Sequence, residues 1–144
     1  MPTRSADARW DGNFARGSGT MNLASGSWSG PYSAASRFEE GEGTNPEELI
    51  AGAHAGCFSM AFALALTDKG HPPESIETTA DVHINPAEGG GFAIDRIDLR
   101  TTARVPGISE SEFGETAEAA KAGCPVSKAL AGVPEINVDA TLAG

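Results

Sequence analysis

One long run of small and apolar residues, 51–66, constrains the fold more than any other feature. Before it, Asn45 is a suitable N-cap, Pro46 suits the first helical position, and Glu48 follows three residues after the cap. Gly70, with two prolines after it, ends the segment. The pattern predicts one long helix. Because its middle is apolar on nearly every face, we expect burial on all sides, either inside the domain or between subunits.

The rest of the chain alternates between strand and helix patterns, which predicts an α+β fold. Short runs separated by turns predict a three-stranded antiparallel meander in the first 43 residues, its last run covering 32–38. The length of 144 residues fits one domain, 1–144, with antiparallel sheets around the long buried helix. The later predicted elements are strands at 75–84 and 92–105 joined by a hairpin loop, helices at 109–122 and from residue 125, and a strand at 135–142.

Composition argues against two classes of partner. The chain has ten Lys and Arg against 20 Asp and Glu, a net charge of −10, whereas phosphate binding needs clustered positive charge. We therefore expect no nucleic-acid partner. The most apolar stretch, 61–66, is far shorter than the roughly 20 residues of a membrane span, and the N-terminus lacks an apolar signal core. We expect no membrane association and a cytoplasmic location.

Two cysteines are the residues best suited to carry chemistry. A reducing cytosol does not favour a structural disulfide, so the thiols are reactive, metal-binding or inert. Cys57 lies in the middle of the predicted helix, where a cysteine is often only a small hydrophobic residue. Cys124 lies at the predicted N-cap of a short helix, where free N–H groups favour a thiolate. Local sequence thus favours Cys124 as the more nucleophilic thiol.

Two thiols are also the minimum for reducing a peroxide. A thiolate attacks the O–O bond and becomes a sulfenic acid, which a second thiol converts to a disulfide before further oxidation. The attack calls for a cation, which Arg37 could supply while Glu47 orients its guanidinium through paired hydrogen bonds. Taken without other information, Arg37 and Glu47 are more often a solvated surface pair.

His54 leaves two minor hypotheses open, because it precedes Cys57 by three residues and shares its helix face. A Cys–His pair can begin a cysteine hydrolase or a metal site. No third candidate ligand has metal-site spacing, so we expect no metal and no prosthetic cofactor. Three aromatic residues are predicted to be core, although they could line an apolar pocket: Trp10, Trp28 and Tyr32.

Six short segments occur along the chain in the order of a known family pattern: WDG, SRFEEG, GTNPEEL, AHAGCFSM, VPGIS and GCPVSKAL. Together they resemble the family of osmotically inducible protein C and the organic hydroperoxide resistance proteins, and the former subgroup more closely. The resemblance runs across nearly the whole chain. It implies the OsmC-like fold, an intertwined homodimer, and a thiol-dependent peroxidase that reduces organic hydroperoxides in oxidative-stress defence.

The resemblance also implies a role for each candidate residue. Cys57 would be the peroxidatic cysteine, Cys124 the resolving cysteine, Arg37 the activating cation and Glu47 its carboxylate partner. The family's reductant is an external dithiol, such as a lipoylated protein. The alternative function is a non-catalytic stress-related protein on the same fold, which binds apolar ligands while its thiols take no part.

Helix geometry adds a prediction about assembly. Glu47 and Cys57 are ten residues apart, which is about 15 Å along a continuous helix and about 80° around it. The two side chains cannot meet within one helix. If both belong to one site, Glu47 must come from a second subunit, so we expect a homodimer.

Overall fold

An antiparallel meander begins the chain in the computed structural model, which describes residues 1–144. Strands β1 (Ala6–Asp11), β2 (Ser18–Leu23) and β3 (Ser29–Tyr32) pair in sequence order, as predicted. They belong to the first of two compact units, Met1–Leu49. A short helix, α1 (Ala34–Phe38), then replaces the strand that the sequence predicts over 32–38.

The reason for helix α1 is a local capping box that the strand-like composition conceals. The Ser36 N–H donates to the Ser33 side chain at 3.1 Å, and the Ser33 N–H donates to the Ser36 side chain at 2.8 Å. Two orphan donors of the first turn are satisfied in this way. Arg37 therefore lies in the last turn of a helix rather than at a strand end.

The long helix is confirmed as α2 (Pro46–Asp68). The Asn45 side chain accepts a hydrogen bond from the Glu48 N–H at 2.8 Å, so Asn45 is the N-cap that the sequence indicates. Gly70 adopts φ +85°, a left-handed conformation that glycine takes without strain, just beyond the end of the helix.

Within one chain, helix α2 is buried on fewer of its faces than the sequence predicts for the domain or the subunit interface. Within one chain, one stripe at four-residue spacing is fully buried, whereas Met60 and Leu64 are 76% and 63% exposed. By length and composition, the helix is also long and apolar enough to cross a membrane, with a mean hydropathy of 1.8. The sequence-based expectation differs because it rests only on the short stretch 61–66. Core helices of soluble proteins pass the same test. The stripe consists of His54, Phe58, Phe62 and Leu66.

The second unit, Ile50–Gly144, contains a three-stranded sheet and two more helices. β4 (Ser75–Pro86) and β5 (Phe92–Arg104) form the predicted antiparallel hairpin. β6 (Glu135–Ala143) pairs with β5 in parallel, although the sequence predicts antiparallel sheets. The direction follows from the connection, because a helical crossover between two strands returns the chain to the end where it started.

That crossover consists of α3 (Glu110–Gly123) and α4 (Pro125–Ala129), both predicted. The Glu112 N–H donates to the Ser109 side chain at 3.1 Å, which caps α3. The apolar faces of α3, β5 and α2 meet in the core of the second unit, where the Phe62 ring lies 5.3 Å from the Phe113 ring. The architecture is α+β, with two small sheets and one long helix.

Candidate active site

The two cysteines, 67 residues apart in sequence, meet in the second unit. Both are free thiols, and their sulfurs are 2.9 Å apart. A disulfide bond is about 2.05 Å long, so an approach of about 0.9 Å would join them. Helix α2 carries Cys57, while Cys124 is both the C-cap of α3 and the N-cap of α4. The packing of these helices places the pair.

The two thiols differ in access. Cys124 is fully buried, whereas Cys57 is partly exposed. Cys57 lies on the wall of an apolar cleft of about 970 Å³, which runs between α2 and the end of α3. A small molecule in the cleft could reach Cys57 and would find Cys124 behind it. The lining also includes Met60, Ala61, Leu64, Ala65, Asp68, Ala119, Ala120, Gly123 and Pro125.

The two thiols also differ in the direction of their pKa shifts, because their hydrogen bonds differ. Burial and a hydrogen bond with Cys124 raise the pKa of Cys57, against a weaker opposing effect of the Val126 N–H. Burial would also raise the pKa of Cys124, but hydrogen bonds from Cys57, from Ser127 and from the Val126 N–H outweigh it and lower that pKa. Either thiol can donate across the 2.9 Å contact. Within one chain, the opposite directions of the two pKa shifts favour the thiolate form of Cys124 over that of Cys57.

Arg37 and Glu47 form the paired contact that the sequence suggested. Arg37 Nη2 donates to Glu47 Oε1 at 2.7 Å, and Arg37 Nε donates to both carboxylate oxygens at 3.1 and 3.2 Å. Glu47 is 6% exposed, and the Arg37 side chain is 36% exposed. A buried carboxylate with this fork geometry holds a guanidinium in one orientation, which a solvated surface pair does not.

The surroundings of Arg37 show which of the three aromatic residues line an apolar pocket. Trp10 and Tyr32 are in ring contact, and both line a pocket of about 430 Å³ with Arg37 and Phe14. Trp28 is 37% exposed and does not line this pocket. Two of the three aromatic residues thus line a pocket, and Arg37 lies in the wall of the same pocket.

His54 does not pair with Cys57. Its Nε2 atom lies 2.7 Å from the Ser127 hydroxyl, and Nδ1 has no hydrogen-bond partner. A cysteine hydrolase needs the imidazole on the nucleophilic sulfur, so the geometry contradicts that minor hypothesis. The structure also contains no group of three or more His, Cys, Asp or Glu side chains that could hold a metal ion.

Sequence reasoning missed two residues of this site, Val126 and Ser127. Both belong to the first turn of α4, whose N–H groups point toward its N-cap, Cys124. The N-cap assignment of Cys124 already implied donors two and three residues later. The Ser127 hydroxyl and its link to His54 had no such signal, because the two residues are 73 positions apart.

Comparison with known proteins places the chain. The profile of the family described as OsmC-like protein matches residues 39–139. The chain belongs to the OsmC-like family. It is 47% identical over 137 residues to peroxiredoxin OsmC of Escherichia coli (strain K12), covering 94% of each chain. It is 38% identical to the organic hydroperoxide resistance protein of Xanthomonas axonopodis pv. citri (strain 306), covering 71% of this chain and 67% of the relative.

A solved structure supports the OsmC-like fold independently. The OsmC like protein from Mycoplasma pneumoniae superimposes with a TM-score of 0.77 at 20% identity, covering 99% of each chain. The family and fold that the sequence motifs indicate are therefore confirmed.

Proposed function

We propose that this OsmC-like protein is a cysteine-based peroxidase that reduces organic hydroperoxides to alcohols in defence against oxidative stress. One observation carries the proposal: a reachable thiol on an apolar cleft has a second, fully buried thiol 2.9 Å behind it. A sulfenic acid formed on Cys57 would be trapped by Cys124 before further oxidation. The names of the relatives, a peroxiredoxin and a hydroperoxide resistance protein, support the same chemistry.

The reaction then has two balanced steps. The Cys57 thiolate attacks one peroxide oxygen, forming an S–O bond and breaking the O–O bond. The alkoxide leaves and takes a proton to become the alcohol. The Cys124 thiolate next attacks the Cys57 sulfur, forming the S–S bond and releasing hydroxide, which becomes water.

Cys57 needs help to become the attacking thiolate, because its pKa is raised within one chain. We assign that help to Arg37, whose charge is permanent and whose orientation is held by Glu47. A guanidinium beside the sulfur favours the thiolate and stabilises the departing alkoxide. Because Glu47 and Cys57 cannot meet within one helix, the pair would come from the partner in a homodimer.

The substrate class follows from the cleft. Its walls are almost entirely hydrocarbon, with Asp68 as the one charged member. An alkyl or lipid-like hydroperoxide would bury its chain there, whereas hydrogen peroxide gains nothing from an apolar wall. An external dithiol, such as a small dithiol or a lipoylated protein, would reduce the disulfide. The protein would act in the cytoplasm.

Thiol counting tests the proposal and the roles together. The reduced protein is treated with one equivalent of cumene hydroperoxide, and free thiols are counted in wild type, Cys57→Ser and Cys124→Ser. We expect wild type to lose both thiols and Cys57→Ser to lose none. Cys124→Ser should lose its one thiol to a sulfenic acid that a dimedone probe captures. Two surviving thiols in wild type would contradict the peroxidase.

The same cleft favours a second candidate, a non-catalytic protein that binds apolar molecules. That function predicts saturable binding of a fatty acid that Cys57→Ser leaves unchanged, together with unreactive thiols. Loss of thiols to the hydroperoxide in wild type decides against it.

A further inference from the structure

One pocket in the first unit combines aromatic rings with a permanent positive charge. Its volume is about 430 Å³, and its lining includes Trp10, Phe14, Tyr32 and Arg37. Trp10 and Tyr32 are half-buried, whereas Phe14 is 66% exposed. Of these four residues, the proposed function uses only Arg37. The three aromatic side chains around it are left without a role.

The register of the meander builds the aromatic wall. Trp10 on β1 pairs with Gly19 on β2, which pairs with Tyr32 on β3, so the three residues form one row across the sheet. The Trp10 and Tyr32 rings have centroids 5.4 Å apart, although a strand lies between them. Gly19 permits this contact, since a Cβ there would lie 2.8 Å from Trp10 Cε3 and 2.5 Å from Tyr32 Cε1. The Trp10 indole N–H also donates to the Gly12 carbonyl at 3.0 Å. The rings are thus held in place before any ligand binds.

Arg37 keeps hydrogen-bond donors for a ligand. Its contacts with Glu47 use Nε and Nη2 and leave Nη1 outside the pair. The guanidinium carbon lies 5.2 Å from the centroid of the Phe38 ring, which is 6.2 Å from that of Phe14. The carboxylate and the ring hold the guanidinium in one place in the pocket wall. The pocket therefore matches a ligand that has an apolar or aromatic group beside an electron-rich oxygen.

We propose that this pocket is a substrate subsite, in which Trp10, Phe14 and Tyr32 bind the organic group attached to the peroxide. The inference rests on the proposed function and adds a second binding surface for the same substrate. Arg37 donates to the oxygen that leaves as the alkoxide, and the rings contact the group that this oxygen carries. Hydrogen peroxide has no group for the rings. The apolar cleft beside Cys57 remains the surface for a long chain.

Substrate selectivity tests the subsite. The rate of sulfenic acid formation is measured with cumene hydroperoxide, which has a phenyl ring, and with tert-butyl hydroperoxide, which has none. An aromatic contact contributes a factor of roughly 2 to 12 beyond burial, so we expect Trp10→Ala to slow the cumene reaction at least about tenfold. The tert-butyl reaction should lose less, because the smaller group gains less from the rings, so the ratio of the two rates falls at least about fivefold. Trp28→Ala is the matched control, because Trp28 is 37% exposed and does not line the pocket.

The ratio of the two rates also separates a subsite from a structural role. If Trp10 acted only by supporting Arg37 or the fold, Trp10→Ala would slow both hydroperoxides equally, and an unchanged ratio would overturn the proposal. Trp10→Phe keeps an aromatic ring and should restore most of the ratio. Phe14→Ala removes a ring that is mostly exposed, so the fold does not depend on it. It should lower the ratio in the same direction, by about threefold.

Binding of the alcohol product tests the pocket without any chemistry. The chain has two tryptophans, so Trp10 is the only one in a Cys57→Ser, Trp28→Phe variant. Titration with cumyl alcohol should give a saturable change in Trp10 fluorescence, and Phe14→Ala should weaken the binding. The absence of a saturable change would overturn the subsite. Saturable binding by a protein whose two thiols survive the hydroperoxide would support the subsite and contradict the peroxidase, so the two failures can be told apart.

Discussion

At the scale of single residues, the chemistry of Cys57 depends on which groups reach its sulfur. Burial and the Cys124 contact raise its pKa, so the groups of one chain leave it protonated. Cys124 receives the donors at the start of α4 and is favoured as the thiolate. These directions agree with the local preference for Cys124 that the sequence suggests, which stays a prediction. The proposed peroxidatic role of Cys57 depends on a cation that we assign to Arg37.

Replacing Arg37 tests this assignment. We expect Arg37→Ala to slow sulfenic acid formation about a hundredfold, because one preorganised charge at the developing alkoxide is lost. The measurement is the second-order rate with an organic hydroperoxide in stopped flow. Arg37→Lys should recover only part of the rate, since an ammonium cannot make the forked contact with Glu47.

Stability measurements separate this effect from unfolding. Arg37→Ala leaves the buried Glu47 carboxylate unpaired, which costs about 1–3 kcal/mol of the free energy of unfolding and leaves the protein folded. Arg9→Ala is the matched control, because Arg9 forms an exposed ion pair with Asp11. An unchanged peroxide rate in Arg37→Ala would count against Arg37 as the activator.

At the scale of elements, the sequence predicts helices with caps well and spatial partners poorly. The N-caps at Asn45, Ser109 and Cys124 all appear in the structure. Helix α1 was missed because five residues carry too little periodicity to outweigh strand-like composition. The parallel pairing of β5 with β6 was missed because strand direction depends on the crossover. The Ser127 contact of His54 was missed because it joins distant positions.

The sheet of the second unit depends in part on one carboxylate, Asp98 on β5. A hydrogen bond from Asn137 on β6 lowers the pKa of Asp98; slight burial opposes this, and His83 and Arg96 add to the lowering. A carboxyl group with a lowered folded pKa stabilises the fold above its usual pKa, about 4. That contribution is lost as the pH falls through the lower folded value. We expect Asp98→Asn to lose up to about 1 kcal/mol at neutral pH.

Urea unfolding at about pH 7 and about pH 3 measures this effect. The difference between wild type and Asp98→Asn should narrow at the lower pH, because protonation removes the same contribution from the wild type. Asp139→Asn on β6 serves as the control and should show little difference at either pH. A gap for Asp98→Asn that does not change with pH would show that the charge of Asp98 is not the stabilising feature.

At the scale of the whole molecule, α2 presents more apolar surface than one chain covers. Met60 and Leu64 are largely exposed, and a Cβ added at Gly52 or Gly56 would meet no atom within 4 Å. Small residues beside exposed apolar ones allow another backbone to approach closely. The same face of α2 carries the wall of the cleft beside Cys57. We propose that a second copy of the chain covers this face and brings Arg37 and Glu47 to the thiols.

Sedimentation velocity in detergent-free buffer tests the assembly. We expect a dimer, and we expect Leu64→Glu to weaken dimerisation at least tenfold, because a charge would replace apolar contact in a covered face. Leu23→Glu, on β2 and 37% exposed, should leave the dimer intact. If Arg37 reaches Cys57 from the partner, the peroxidase rate of Leu64→Glu should fall on dilution in parallel with the dimer fraction. A monomeric wild type would remove the argument for a shared site. If the protein stays in solution only when detergent is added, α2 would instead be identified as a membrane helix.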